Sequence, residues 1–339
     1  MSTEEQLPGQ VTRSERSGPV VTATRWMENL GETGFAYLLL TPVFLLLGTI
    51  ALYPLLRTFE MSLYQNILAA TESEFVGLEN YVALFTGGAD TALPGTTTFL
   101  PGLETSGSFP FVHVEGLLRS ALVVTLIFTL VSVFFETIIG FGQALVLDQE
   151  FRGRRLVRVA VIIPWAVPIV IQGMMFYLMF NPQTGFLTEY LANLGLVAGT
   201  NTFNDPLSSL VIITIADIWK TSAFMALLIL AGLQSIDRNL YEVARVAGAS
   251  RWQQFKLITF PLVLPTLGIA ILFRTIDAMR VYGLIDATAG CTTVPSLSCM
   301  VVETFNQSRG LASAIAFVTA GLIGIAVSIV IYQQYKEGF

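Results

Sequence analysis

Long apolar stretches alternate with shorter polar ones along this chain, and inside the apolar stretches there is no two-residue alternation. Six of them reach the length of about 20 residues that a helix needs to cross a bilayer. They lie near 35–56, 117–147, 156–180, 207–233, 262–286 and 311–332. Lipid offers backbone N–H and C=O groups no partner, so a spanning segment must be a helix or a strand of a closed barrel. Continuous apolar runs decide for helices, because barrel strands alternate. Stretch 117–147 is long enough to tilt or to extend past the bilayer. The pattern predicts an all-α integral membrane protein with six transmembrane helices.

Composition agrees. Mean hydropathy is +0.68, and charged residues are 12% of the chain, about half the share of a soluble domain. Net charge is −6, from 15 Arg and 3 Lys against 24 acidic residues, which leaves no basic face for nucleic acid. The acidic residues fall mostly in loops and Lys is scarce. A surface adapted to high salt, as in halophiles, and ordinary acidic loops both account for that. Residues 1–34 read as a polar tail without the basic start, apolar core and cleavage site of a signal peptide.

Charge also orients the spans. With both termini cytoplasmic, the inside segments carry twelve Arg and Lys and the outside loops two, Arg57 and Arg309. That is a positive-inside bias, and it predicts a multi-pass protein of the cell membrane. The membrane body is expected over 35–335, followed by a short cytoplasmic end at 336–339. The outside loop 57–116 is rich in Gly, Pro and Thr and carries Glu72, Glu74, Glu79, Asp90, Glu104 and Glu115. It reads as a small cap or as a disordered loop.

Several chemistries are missing. No G-x-x-x-x-G-K-[ST] loop is present to cradle ATP phosphates. The single histidine, His113, cannot form a His-based catalytic or metal cluster. No inside loop is large enough for a catalytic domain. The chain therefore reads as a non-enzyme without a metal or cofactor of its own. An energy source, if one is needed, must come from another subunit or from an ion gradient.

The segment 234–258 on the inside face, with its continuation to Pro265, carries the strongest local signal. Asp237 can cap a first short helix on which Leu240, Val243, Ala244 and Ala247 recur at helical spacing. Gly248 permits a turn. Ser250 starts a second helix, and Gln253 completes a possible capping box. Trp252, Phe255 and Ile258 can pack on the bundle, and Pro261 and Pro265 mark entry to the fifth span. The residues alone fit an interfacial linker or a docking surface.

This segment resembles the EAA loop of ABC-importer permeases, roughly E-A-A-x-x-D-G-A followed by an apolar residue and L-P. Glu242, Ala244, Gly248, Ala249, Phe255, Ile258, Pro261 and Pro265 match, while Val243 and Ala247 depart from the pattern. The stretches 214–236 and 273–282 resemble carbohydrate permeases. The early L-Y-P-L-L-R-T-F-E-M-S-L and F-V-G-L-E-N-Y at 75–81 resemble the first permease of maltose- and trehalose-type systems. The resemblance implies a type I ABC importer permease fold. It implies a second homologous permease, ATPase subunits that bind ATP and Mg, an extracellular solute-binding protein, and a sugar as substrate. It also implies that Tyr241, Glu242, Ala244, Gly248 and Ala249 couple the ATPase to the membrane helices.

Charged groups inside a bilayer face a bundle interior or a water-filled cavity. Asp217 and Lys220 lie three apart on span four and can pair on one face. Arg274, Asp277, Ala278 and Val281 fall on one side of span five, and Glu136 and Gln143 sit on span two. These groups either glue helices together or line the path. In the family, sugar contacts come from the spans flanking the EAA loop. By position that implies Asp217, Trp219, Lys220, Thr221, Arg274, Asp277, Ala278 and Val281. Cys291 and Cys299 share an outside loop and are a disulfide candidate, the alternative being two free thiols. Three other functions stay open: a secondary transporter driven through Asp217, Asp277 and Glu136, a membrane-embedded enzyme, and an ABC permease for a non-sugar solute such as glycerol phosphate.

Overall fold

The computed structural model describes residues 31–65, 74–89, 91, 93, 97–101, 114–199 and 202–336. The N-terminal tail with Arg13, Arg16 and Arg25, and Glu72, Asp90, Glu104 and His113 of the long loop, lie outside the described residues.

The chain divides into two units at Arg57, and each is taken by itself. The first belongs to helix α1 (Glu32–Ser62). Its apolar side chains, among them Leu40, Phe44 and Leu47, are exposed, as expected of a helix bathed in lipid. Its hydroxyls are satisfied locally: Thr41 and Thr49 donate to the carbonyls of Tyr37 and Leu45.

The second unit holds the remaining elements. After the hairpin β1 (Tyr64–Gln65) and β2 (Glu74–Phe75) come the short helices α2 (Glu79–Thr86) and α3 (Val114–Leu118). Next is α4 (Ala121–Asp148), whose N-cap Ser120 accepts from the Val123 amide. Then follow α5 (Arg154–Ala166), α6 (Ile169–Met179), α7 (Thr188–Asn193) and α8 (Pro206–Gln234). Asp205 caps α8 by accepting from the Ser208 amide, and Pro206 occupies its first turn, where a missing N–H costs nothing. The chain continues through α9 (Asn239–Val246), α10 (Arg251–Ala278), α11 (Gly283–Thr288), α12 (Leu297–Phe305) and α13 (Arg309–Lys336).

Five described helices, α1, α4, α8, α10 and α13, are long and apolar enough to cross a membrane. The expected third span, 156–180, is instead two helices, α5 and α6, bent by 94°. Pro168 has no N–H and drives the residue before it out of the helical region, and Val167 accordingly sits at ψ 127°. The expected fifth span, 262–286, is displaced. Helix α10 begins earlier, at the loop, takes a π-helical turn over Phe255–Thr259 beside Pro261, and stops at Ala278. Beyond it the Val281 carbonyl accepts from the Ser296 hydroxyl rather than from a next helical turn.

Helix α8 is the central element, with its buried residues distributed along its whole length. It meets α4 closely at Gly140, where an added Cβ would stand 2.6 Å from Met225 Cβ. It meets α10 closely at Gly232, where a Cβ would stand 2.8 Å from Thr266. Small residues at such crossings let backbones approach and gain dispersion contacts that lipid cannot replace. Two apolar clusters result. One includes Val124, Phe128, Ile213, Ala216, Ala278 and Leu297. The other includes Ala144, Leu147, Met225, Ile229, Val263 and Ala270.

Candidate functional site

Between the two apolar clusters lies a polar layer. On α4 the clusters stop at Val133 and resume at Ala144; on α8 they stop at Ala216 and resume at Met225; on α10 the gap runs from Ala270 to Ala278. Arg274 fills the gap. Its Nε donates to Glu136 Oε2 at 2.5 Å, its Nη2 donates to Glu136 Oε1 at 3.0 Å and also to Asp217, and its Nη1 donates to Asp277 Oδ2 at 2.9 Å. Thr221 donates to Glu136 Oε1 at 2.6 Å. Arg274 is 2% exposed and Glu136 fully buried, whereas the Asp277 side chain is 76% exposed. One planar guanidinium thus joins three spans by a fork that an ammonium could not form.

The segment between α8 and α10 forms the second candidate feature. Asp237 accepts from the Asn239 amide at the start of α9. Gly248 turns the chain at φ +82°, in the left-handed region that disfavours a Cβ. Ser250 and Gln253 form a reciprocal capping box at the start of α10. No residue of α9 is buried. Glu242 and Gly248 are exposed, and Ala244 and Ala249 half-buried. Val246 is 91% exposed, and Val243 and Trp252 are also open. The turn thus leaves Val243, Val246 and Trp252 exposed beside charged residues. Tyr241 instead points back, its hydroxyl 2.9 Å from that of Thr259. Phe255 packs edge-on against Phe141 of α4, and Trp252 stacks on Phe255.

Residues 136–336 match the family model described as binding-protein-dependent transport system inner membrane component. The chain belongs to this family of permeases. The matched segment opens on Glu136 and takes in both the charge layer and the exposed loop. The permease is 36% identical over 298 residues to the trehalose/maltose transport system permease protein MalF of Thermococcus litoralis, covering 86% of this chain and 90% of that one. It is 31% identical over 325 residues to the trehalose transport system permease protein SugA of Mycobacterium tuberculosis, covering 95% of each. Its fold is similar to that in the crystal structure of a bacterial ABC transporter that imports the acidic polysaccharide alginate, with TM-score 0.67 at 21% identity, over 93% of this chain and 100% of that one. The permease is therefore a multi-pass membrane subunit of an ABC importer of the type I fold, and the secondary-transporter alternative falls away.

The remaining path candidates of the permease separate. Asp217 does not pair with Lys220: Asp217 goes to Arg274, and Lys220 Nζ donates to the Val167 carbonyl at 2.8 Å. That carbonyl, at the C-terminal end of α5, carries the partial negative charge of a helix end, and the 94° break exposes it. Arg274, Asp277 and Ala278 lie on one side of α10, where Arg274 pairs with Asp277 three residues on, but Val281 falls beyond the end of the helix. Ala278 and Val281 are buried in an apolar cluster. Trp219 is partly exposed, its ring 5.8 Å from that of Phe176. Gln143 reaches toward Ser222 at 3.5 Å. Cys291 and Cys299 are joined by a disulfide with Cα atoms 5.5 Å apart.

Sequence reasoning left three features out of the site. Glu136 is the buried anchor of the charge layer. Arg238 donates to both carboxylate oxygens of Asp148, at 2.9 and 2.6 Å, and those hydrogen bonds hold its guanidinium above its ordinary pKa. Gln172 on α6 donates to the Ala216 carbonyl at 2.6 Å. The one available signal was Glu136 itself, a lone carboxylate in an apolar run.

Proposed function

We propose that this permease imports a sugar or oligosaccharide through the cell membrane, with both termini cytoplasmic. It works beside a second homologous permease, on ATPase subunits that bind ATP and Mg, and receives its solute from an extracellular binding protein. The observation that carries the coupling part is the exposed α9–Gly248–α10 turn, with Glu242 and an unpartnered apolar face at the end of two spans. An ATPase cleft that closes around this turn would move α8 and α10 together. The named transport roles of the relatives, trehalose/maltose and trehalose, support the sugar. So does a third relative, the sulfoquinovosyl glycerol transport permease SmoG of Agrobacterium fabrum, at 35% identity over 76% of this chain.

Asp277 and Trp219 are the path candidates left open to solute. A carboxylate accepts from sugar hydroxyls, and an indole can stack on the apolar face of a pyranose. Arg274, Asp217 and Thr221 stand behind them as the wall. Glu242→Ala should abolish uptake of radiolabelled maltose and trehalose into proteoliposomes of the complete transporter while the complex still assembles. Uptake at the unmodified rate would refute the coupling role. Failure of the unmodified transporter to import these or other sugars, with a non-sugar solute imported, would refute the proposed substrate class.

A further inference from the structure

Arg238 and Asp148 are each on the wrong end of a helix. Asp148 is the last residue of α4, where the helix end is partly negative, and Arg238 stands at the N-cap of α9, where it is partly positive. Apart, each charge is repelled by its own helix. Together they form a two-pronged fork, and the negative end of α4 faces the positive end of α9.

We propose that this pair is a latch that makes α4 move with the coupling loop, so that displacement of the loop reaches span two directly. The inference rests on the reading of α9 as the docking surface. Among the described residues, side-chain hydrogen bonds tie the turn to the bundle at two places, Arg238–Asp148 and Tyr241–Thr259. The second holds the loop to α10, which already continues from it. The first reaches a different span, 90 residues away in sequence, and Phe255 against Phe141 supports it one level deeper. From α5, Arg154 Nε donates to the Leu147 carbonyl at 2.7 Å, so the same helix end is also gripped from the broken span. Glu150 adds negative charge beside Arg238. Asp148 lies 12 residues from Glu136, roughly 18 Å along a helix. A pull at the latch therefore acts on the helix that anchors the buried charge layer. The Arg238 side chain is 60% exposed and that of Asp148 15%; an ion pair open to water on one side adds little to stability, so the latch can be broken from the arginine side without unfolding the permease.

The test uses the complete transporter in nanodiscs with its solute-binding protein, and reads ATP hydrolysis stimulated by maltose or trehalose. Arg238→Ala and Asp148→Ala should assemble in unmodified amounts and lower stimulated hydrolysis by about fivefold or more, the lower range of a site-to-site coupling. The exchanged pair, Arg238→Asp with Asp148→Arg, restores the fork and places each charge on its favoured helix end. It should recover most of the loss, which a variant that merely damages the fold would not do. Glu242→Ala serves as the control. Loss of stimulation in the control with normal activity in both single variants overturns the latch alone. An exchanged pair no better than the single variants also overturns it. Full stimulation in the control overturns the docking reading and the latch with it.

Discussion

Arg274→Met should unfold the bundle far more easily than Asp277→Asn, although both break the same ion-pair group. The guanidinium holds two buried carboxylates, Glu136 and Asp217, whose side chains are 0% and 11% exposed, and one open to water, Asp277. Removing the arginine leaves two buried carboxylates without a cation, and breaking a buried pair from one side costs about 3–5 kcal/mol. At about 2–4 °C per kcal/mol for a unit of this size, that lowers the melting temperature by about 10 °C. Removing the Asp277 charge leaves both buried pairs intact and gives up an exposed pair worth about 0–1 kcal/mol, a shift of about 4 °C or less. The assay is thermal unfolding of the purified transporter in nanodiscs, followed by tryptophan fluorescence and by the yield of assembled complex. A third variant, Glu136→Gln with Asp217→Asn and Arg274→Met, removes all the buried charges at once. It should regain much of the loss, because a neutral polar layer has no unpaired ion to bury. Uptake per assembled complex then separates roles: Asp277→Asn should alter apparent affinity for sugar at nearly unchanged stability. Melting of Arg274→Met within about 4 °C of the unmodified protein would refute the reasoning, as would an Asp277→Asn variant that falls as far as Arg274→Met is expected to.

Gly140→Val should destabilise the α4–α8 crossing by about 1–3 kcal/mol, the range for overpacking a filled interface, because a Cβ there would meet Met225 Cβ and the Ser222 carbonyl. The same assay checks it, and an unchanged melting temperature would show that the two helices are free to separate. For the cysteines, intact-mass analysis after alkylation without reductant should find no labelled thiol, and label appearing only after reduction; two labelled thiols would refute the bridge between Cys291 and Cys299.

Much of this permease was legible along the chain because lipid leaves so few choices. A run such as 121–148 must satisfy its own backbone, so its helix follows from hydropathy alone. The turn between α8 and α10 was legible for a local reason: Ser250, Gln253 and Gly248 make their contacts within a few residues, and their capping and turn geometry needs no distant partner. What only the tertiary structure decided is which charges meet. Arg274 lies 138 residues from Glu136 and 57 from Asp217, whereas its partner Asp277 is three residues away on its own helix. Lys220 seemed made for Asp217 three residues away, yet the break at Pro168 presents it with a carbonyl instead. Those pairings depend on how far each helix is rotated about its axis. That rotation is set by the close crossings at Gly140 and Gly232, where side chains from distant parts of the chain interlock.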